Sequence, residues 1–181
     1  MEKVTIGGGC FWCTEAIFSR IDGIQDVYPG YCGGKIKNPS YREVCKGTTG
    51  HAECIQFLFN PKKIFFETIL DIFFETHDAT TLNKQGADIG TQYRSVIFYH
   101  TEEQKIIADK KIKYFNKIKK FKNEIVTQIE SYEKFYKAEI EHHDYFKNNQ
   151  SQPYCSFVIT PKLKKFISKF SEKLKNKKRG I

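Results

Sequence analysis

The sequence contains no run of apolar residues approaching the roughly eighteen that a membrane-spanning helix needs. Its opening has no basic region followed by a long apolar one, so no secretory leader is expected and the chain reads as cytoplasmic. Internal repeats and low-complexity linkers are also missing, which predicts one domain over residues 1–181. The glycine run Gly7-Gly8-Gly9 lacks the Gly-x-Gly-x-x-Gly spacing and the P-loop lysine, which excludes a nucleotide loop there. No second cysteine pair matches the spacing of Cys10-Phe11-Trp12-Cys13, so a zinc knuckle is not expected. What the chain does have is an apolar share of 40% and an aromatic share of 15%, enough for a real core and too much for a disordered chain.

The formal charge of +9 is local. Lys162 to Arg179 holds nine basic residues against the single acid Glu172, so the remainder of the chain is nearly neutral. A lysine-rich segment over 162–181 is read as a solubilising face. Contact with nucleic acid or an anionic membrane is the alternative, and no specific partner of either kind is expected. The six cysteines are Cys10, Cys13, Cys32, Cys45, Cys54 and Cys155. In a cytoplasmic chain of this length they predict reactive chemistry at one or two thiols, with the others buried as small hydrophobes.

The pattern predicts a strand at Val4–Ile6, ended by a flexible turn at the three glycines, and a helix from Phe11 to Ile21. Strands follow at Asp26–Tyr31, Glu53–Phe59, Ser95–His100, Val126–Ile129 and Ser156–Ile159. Helices are expected over Ile64–Thr76, Glu102–Phe121 and Tyr132–Lys147. The alternation predicts an α+β fold, with a split βαβ arrangement around a mixed sheet rather than a barrel. The long irregular stretch from Asp78 to Arg94 is expected to be functional.

Cys10 falls where a strand passes through glycines into a helix. A thiol there meets the positive end of the helix dipole, which predicts a lowered pKa and a nucleophile. A thioredoxin-like redox pair with Cys13 is the competing reading. Phe11 and Trp12 are better suited as an apolar wall for a small uncharged group. Glu53, just before an apolar strand, is a candidate proton donor because a carboxylate among apolar groups has its pKa raised. Tyr41 and Tyr93 lie in irregular stretches and can donate hydrogen bonds without ionising.

Several motifs together resemble the A-type peptide methionine sulfoxide reductases, which act on the S epimer of methionine sulfoxide. They are Gly9-Cys10-Phe11-Trp12-Cys13-x-Glu15, Gly30-Tyr31-x-Gly33-Gly34, Asn38-Pro39-x-Tyr41 and Thr49-Gly50-His51-Ala52-Glu53. His77-Asp78-x-Thr80, the run from Gly86 to Ser95, and Ala138-Glu139 continue the series. The resemblance implies a two-layer α/β sandwich with a ferredoxin-like core and a C-terminal segment wrapped over it, as a single catalytic domain. It also implies Cys10 as nucleophile, Phe11 and Trp12 as the pocket for the substrate's S-methyl group, and Glu53 as acid with Tyr41, Tyr93 and Asp88 assisting. Cys155 is similar to the family's resolving cysteine, with Cys13 and Cys32 as competitors. Free and protein-bound methionine sulfoxide would be the substrates, and thioredoxin or a similar dithiol the reductant. No cofactor or metal is required, and a monomer is expected. Two departures are Glu141-His142-His143, where the family has Tyr-His-Gln, and Cys32, where it has alanine. A binding module without turnover, and a nucleic-acid-associated protein using the basic segment, are the competing function classes.

Overall fold

The computed structural model describes residues 1–175. In chain order it contains β1 (Glu2–Gly8), α1 (Phe11–Phe18), β2 (Ile24–Cys32), α2 (Tyr41–Cys45), β3 (Ala52–Phe59) and α3 (Phe66–Thr76). A small pair, β4 (Lys84–Gln85) and β5 (Asp88–Ile89), precedes β6 (Ser95–Tyr99), α4 (Glu102–Lys117), β7 (Gln128–Ser131) and β8 (Phe135–Lys137). Two further helices close the described chain, α5 (Tyr145–Asn148) and α6 (Thr160–Lys169).

Six strands form one sheet in the order β7-β6-β1-β3-β2-β8. All neighbours are antiparallel except β6 and β7, so the sheet is mixed, as expected. Helices cover one face, and the alternation of β3 decides which residues meet them. Ile55, Phe57 and Phe59 join the main core with Phe18, Leu70 and Phe73. Ala52 and Cys54 point the other way, into a smaller cluster with Cys32, Val96 and Phe98 under Tyr132 and Phe135. Glu53 shares the parity of Ile55 and therefore faces the helical layer.

The glycine run differs from expectation. Gly7 and Gly8 are strand residues paired with Val96 and Ser95, and only Gly9, at φ +87°, makes the turn. A Cβ on Gly7 would lie 2.7 Å from the carbonyl oxygen of Glu53, so the missing side chain serves close strand packing.

Two element predictions are corrected. The helix expected over Tyr132–Lys147 is instead β8, a 3-10 turn at Ile140–His142 and the short α5. Gly30 has no side chain, so the backbone at Tyr136 and the ring of Phe135 can pack against it and extend the sheet. Asp144, at φ +51°, then interrupts any continuous helix. The strand expected at Ser156–Ile159 is a wide π-helical turn, Cys155–Ile159, running into α6. A four-residue apolar run does not distinguish strand from buried helix, and here Pro161 in the first turn of α6 supports the helical choice.

Leu163 and Phe166 are buried in the main core, which fixes α6 over the helical layer. Leu174 then bridges to Ile21, and the N–H of Lys175 donates to the carbonyl of Arg20 at 2.9 Å. The C-terminal segment thus wraps the core through apolar anchors, while Lys164 and Lys165 are exposed, Lys169 pairs with Glu75 and Lys175 Nζ donates to the carbonyl of Ser19 at 2.9 Å. The end of the basic segment, residues 176–181, lies outside the described residues. Among the described residues no helix is long and apolar enough to cross a membrane.

Candidate active site

Helix α1 begins just after β1, a central strand of the sheet, and its N-cap Cys10 supplies no side-chain cap. The free N–H of Phe11 donates instead to Glu53 Oε2 at 3.0 Å, across from β3. A carboxyl group therefore caps the helix that carries Cys10. Glu53 is 1% exposed, and burial pushes its pKa up to about 8. The Phe11 N–H opposes that rise, while the charges of Asp88 and Cys13 add to it. Glu53 thus holds a proton near neutrality.

The thiols do not behave as the helix dipole alone predicts. Burial pushes the Cys10 thiol well above its ordinary value, and the neighbouring Cys13 and the charge of Glu53 reinforce the shift. The expected lowering is corrected on that ground: desolvation of a nearly enclosed sulfur outweighs a half-charge at a helix end. Cys13 is lowered, because the neighbouring Cys10 thiol and the charge of Lys162 favour its thiolate.

Aromatic side chains build the wall around these groups. The Trp12 ring stacks on Tyr145 with centroids 3.8 Å apart, and its Nε1–H donates to His142 Nδ1 at 3.3 Å. Tyr41 packs on His142 at 4.3 Å and on Phe11 at 6.1 Å. Burial and the charge of Glu53 raise the phenols of both Tyr41 and Tyr93, so each remains a hydrogen-bond donor. Glu139 ties the wall together, accepting from the Tyr31 hydroxyl and from the Tyr41 N–H, both at 2.8 Å. Those bonds outweigh burial and keep its carboxyl below the usual range. Glu15, buried and raised to about 7, accepts from the N–H of Asp144 at 2.9 Å and holds the left-handed turn before α5.

The Asp78–Arg94 stretch carries Asp88 and Tyr93 to the site. Its turn is shaped by Asp78, which accepts from the N–H and hydroxyl of Thr80 at 2.9 and 2.7 Å. Asp88 accepts from the Tyr154 hydroxyl at 2.8 Å. Tyr154 was legible only as the neighbour of Cys155, yet its oxygen also lies 4.0 Å from Cys13 Sγ. Tyr145 gives no local signal in the sequence, while Glu15 is visible there only as a motif position and His142 only within the Glu141-His142-His143 departure.

Of the remaining cysteines, Cys155 is fully buried at the start of the π-helical turn, and burial raises its thiol. Cys32, expected to be able to approach the site, faces the opposite side of the sheet with Cys54. Cys45 is half-buried beside Tyr41. Among the described residues no group of three His, Cys, Asp or Glu could hold a metal ion. A cleft of about 520 Å³, lined by residues that include His77, Asp78, Gln85, Lys162 and Phe166, contains none of Cys10, Glu53, Tyr41 or Tyr93.

Trp12, two residues from Cys10, is held in place by its stacking on Tyr145. Trp12→Ala is expected to weaken the preference for methyl over bulkier alkyl sulfoxides roughly fivefold, since a methyl group in a fitted pocket is worth about 1 kcal/mol. An unchanged ratio of kcat/KM values across a methyl, ethyl and propyl series would place the selective pocket elsewhere.

The sequence model of the family described as peptide methionine sulfoxide reductase matches residues 2–175. The chain is 52% identical over 173 residues to peptide methionine sulfoxide reductase MsrA of Sulfolobus acidocaldarius, covering 96% of this chain and 97% of the relative. Its structure is similar to that of Mxr1 from Saccharomyces cerevisiae in reduced form, with a TM-score of 0.75 and 37% identity over 85% of this chain and 88% of the other. The structure of Mxr1 in complex with Trx2 also matches, with a TM-score of 0.52 and 29% identity over 80% of this chain and 84% of the other.

Proposed function

This chain belongs to the peptide methionine sulfoxide reductase family, enzymes that reduce methionine-S-sulfoxide through cysteine chemistry, and we propose that Cys10 and Glu53 carry the reduction. The observation behind this reading is the Glu53 carboxyl, protonated near neutrality and bonded to the first N–H of the helix that begins at Cys10. A sulfoxide oxygen leaves poorly unless it is protonated as sulfur is attacked, so a thiol and an acid must act together.

Cys10 sulfur attacks the sulfoxide sulfur while Glu53 gives its proton to the sulfoxide oxygen, and the proton lost by the Cys10 thiol takes its place on Glu53. The oxygen passes to Cys10, so the substrate leaves as methionine and Cys10 becomes a sulfenic acid. Tyr41 and Tyr93, held neutral, donate hydrogen bonds to the oxygen, and Asp88 orients the neighbouring Tyr154 hydroxyl. Phe11 and Trp12 receive the methyl group. The oxidising equivalents then reach an intramolecular disulfide that includes Cys155, which a thioredoxin-type dithiol reduces by exchange. The existence of a Mxr1–Trx2 complex supports a reductant of that class. Free methionine sulfoxide and oxidised proteins are both substrates in this reading, and the physiological role is repair.

The test is a single turnover on each sulfoxide epimer without reductant, followed by steady-state assays. One equivalent of methionine per chain is expected from the S epimer and none from the R epimer. Cys155→Ser is expected to release that first equivalent and to lose at least tenfold in thioredoxin-supported turnover. Equal release from both epimers, or full thioredoxin-supported turnover in Cys155→Ser, would overturn the corresponding part.

A further inference from the structure

Resting on the reading of Trp12 as the wall for the substrate's methyl group, we infer that Glu15 positions that wall. Its carboxyl holds the segment that stacks on Trp12 and so sets the selection for a methyl-bearing sulfoxide. Glu15 and Trp12 lie three apart on α1, so their side chains leave the helix as neighbours on one face. Glu15 is only 4% exposed, and among the described residues it makes no ion pair. A carboxyl taken out of water without a cation must be satisfied by hydrogen bonds. Its Oε1 accepts from the backbone N–H of Asp144 at 2.9 Å, 129 positions along the chain.

Asp144 is where that bond has the most effect. It sits in the left-handed region at φ +51°, a conformation that residues with side chains rarely adopt without outside support. It is also the N-cap of α5, and its own side chain makes no cap there. Tyr145 is the next residue, and its ring lies on Trp12 with centroids 3.8 Å apart and planes only 8° from parallel. The direction in which the Tyr145 ring leaves the backbone therefore follows from a turn that Glu15 pins. Trp12 has a polar tether to the same stretch, the Nε1–H donated to His142 Nδ1 at 3.3 Å. From a single helix, then, Trp12 and Glu15 grip one remote segment at His142, Asp144 and Tyr145. Loss of the carboxyl releases the middle contact and leaves the turn to relax toward the commoner backbone regions.

The reacting groups are held by other bonds. Glu53 is fixed by the Phe11 N–H at 3.0 Å, and the Tyr41 backbone by Glu139, which accepts from its N–H at 2.8 Å. A shift of the Tyr145–Trp12 stack therefore changes the shape of the apolar wall while the acid and the phenol keep their places. The expected loss is in discrimination between alkyl groups and in KM, rather than in the rate at saturation.

Trp12 is the only tryptophan in the chain, so the fluorescence of the full-length protein reads its surroundings without a label. Glu15→Ala is expected to raise acrylamide quenching of that fluorescence roughly twofold, since the ring loses its stacked cover. The same variant is expected to weaken the preference for methyl over propyl sulfoxide by about threefold, most of the effect expected of Trp12→Ala. Glu15→Gln keeps an oxygen that accepts from the Asp144 N–H and is expected to restore both readings. Glu15→Asp falls one methylene short of that N–H and is expected to behave as Glu15→Ala, which keeps the question answerable where alanine prevents folding. Tyr145→Ala is expected to give the same losses, and the double variant with Glu15→Ala to lose no more than Tyr145→Ala alone. Wild-type quenching and methyl preference in Glu15→Ala and Glu15→Asp would overturn the inference. So would a loss in Glu15→Gln as large as in Glu15→Ala, or losses that simply multiply in the double variant. An unchanged preference in Trp12→Ala would strike the reading of Trp12 as the methyl wall, a separate outcome, and the quenching measurement would still decide whether Glu15 holds the ring.

Discussion

Glu53→Gln is expected to slow the sulfoxide reduction step by roughly 10²- to 10⁴-fold, the span usual for loss of a general acid. Glutamine keeps the shape and can accept from the Phe11 N–H as Glu53 does. It has no proton to transfer, so the loss falls on the chemical step rather than on packing. The pH profile carries the sharper signature. Burial raises the Glu53 carboxyl to about 8, so the donor is present below that pH and disappears as pH rises through it. Single-turnover rates of the wild type should therefore fall above about pH 8, and in Glu53→Gln that falling limb should be absent. A variant rate within twofold of the wild type across the range would mean that another group donates the proton.

Cys10→Ser is expected to reduce methionine release to the uncatalysed level, since a serine hydroxyl cannot be oxidised by the sulfoxide as a thiol can. The same change should not destabilise the fold. Helix α1 has no side-chain cap, and serine at an N-cap position can accept from the backbone N–H of the first turn, worth about 1 kcal/mol. For a chain of this size that corresponds to a rise in Tm of about 2–4 °C. The wild type on this view lacks a cap from its own N-cap side chain because that position is occupied by the reactive sulfur, and Glu53 serves the first N–H instead. Thermal denaturation followed by circular dichroism checks the second half. A Tm several degrees lower would show that the packing of the thiol, 7% exposed in the wild type, matters more than the cap.

Strong local periodicity made most elements legible. The apolar run around Leu70 and Phe73 could only be a buried helix, and the alternation through Ile55 and Phe57 could only be a strand with one face on the core. The weakly patterned stretch after Ser131 was not legible, because β8 exists by virtue of pairing with Gly30 more than 100 residues earlier. The strand expected at Ser156–Ile159 failed similarly: the run is apolar, but helical continuation into α6 buries Ile159 and Leu163 together.

The sequence by itself determined which residues are available for the chemistry: a thiol at a glycine–helix junction, two aromatics beside it, an acid at the start of an apolar strand, and the family those motifs spell. Only the tertiary structure decided how they act. Trp12 meets His142 across 130 positions, Glu15 meets the backbone of Asp144 across 129, and Tyr154 meets Asp88 across 66. Such contacts leave no local period to read, because they arise from two remote segments packing on the same face. The direction of the Cys10 shift was decided in the same way. Local position supplied only the helix dipole, whereas the desolvation that overrides it comes from the basin that the remote segments close around the sulfur.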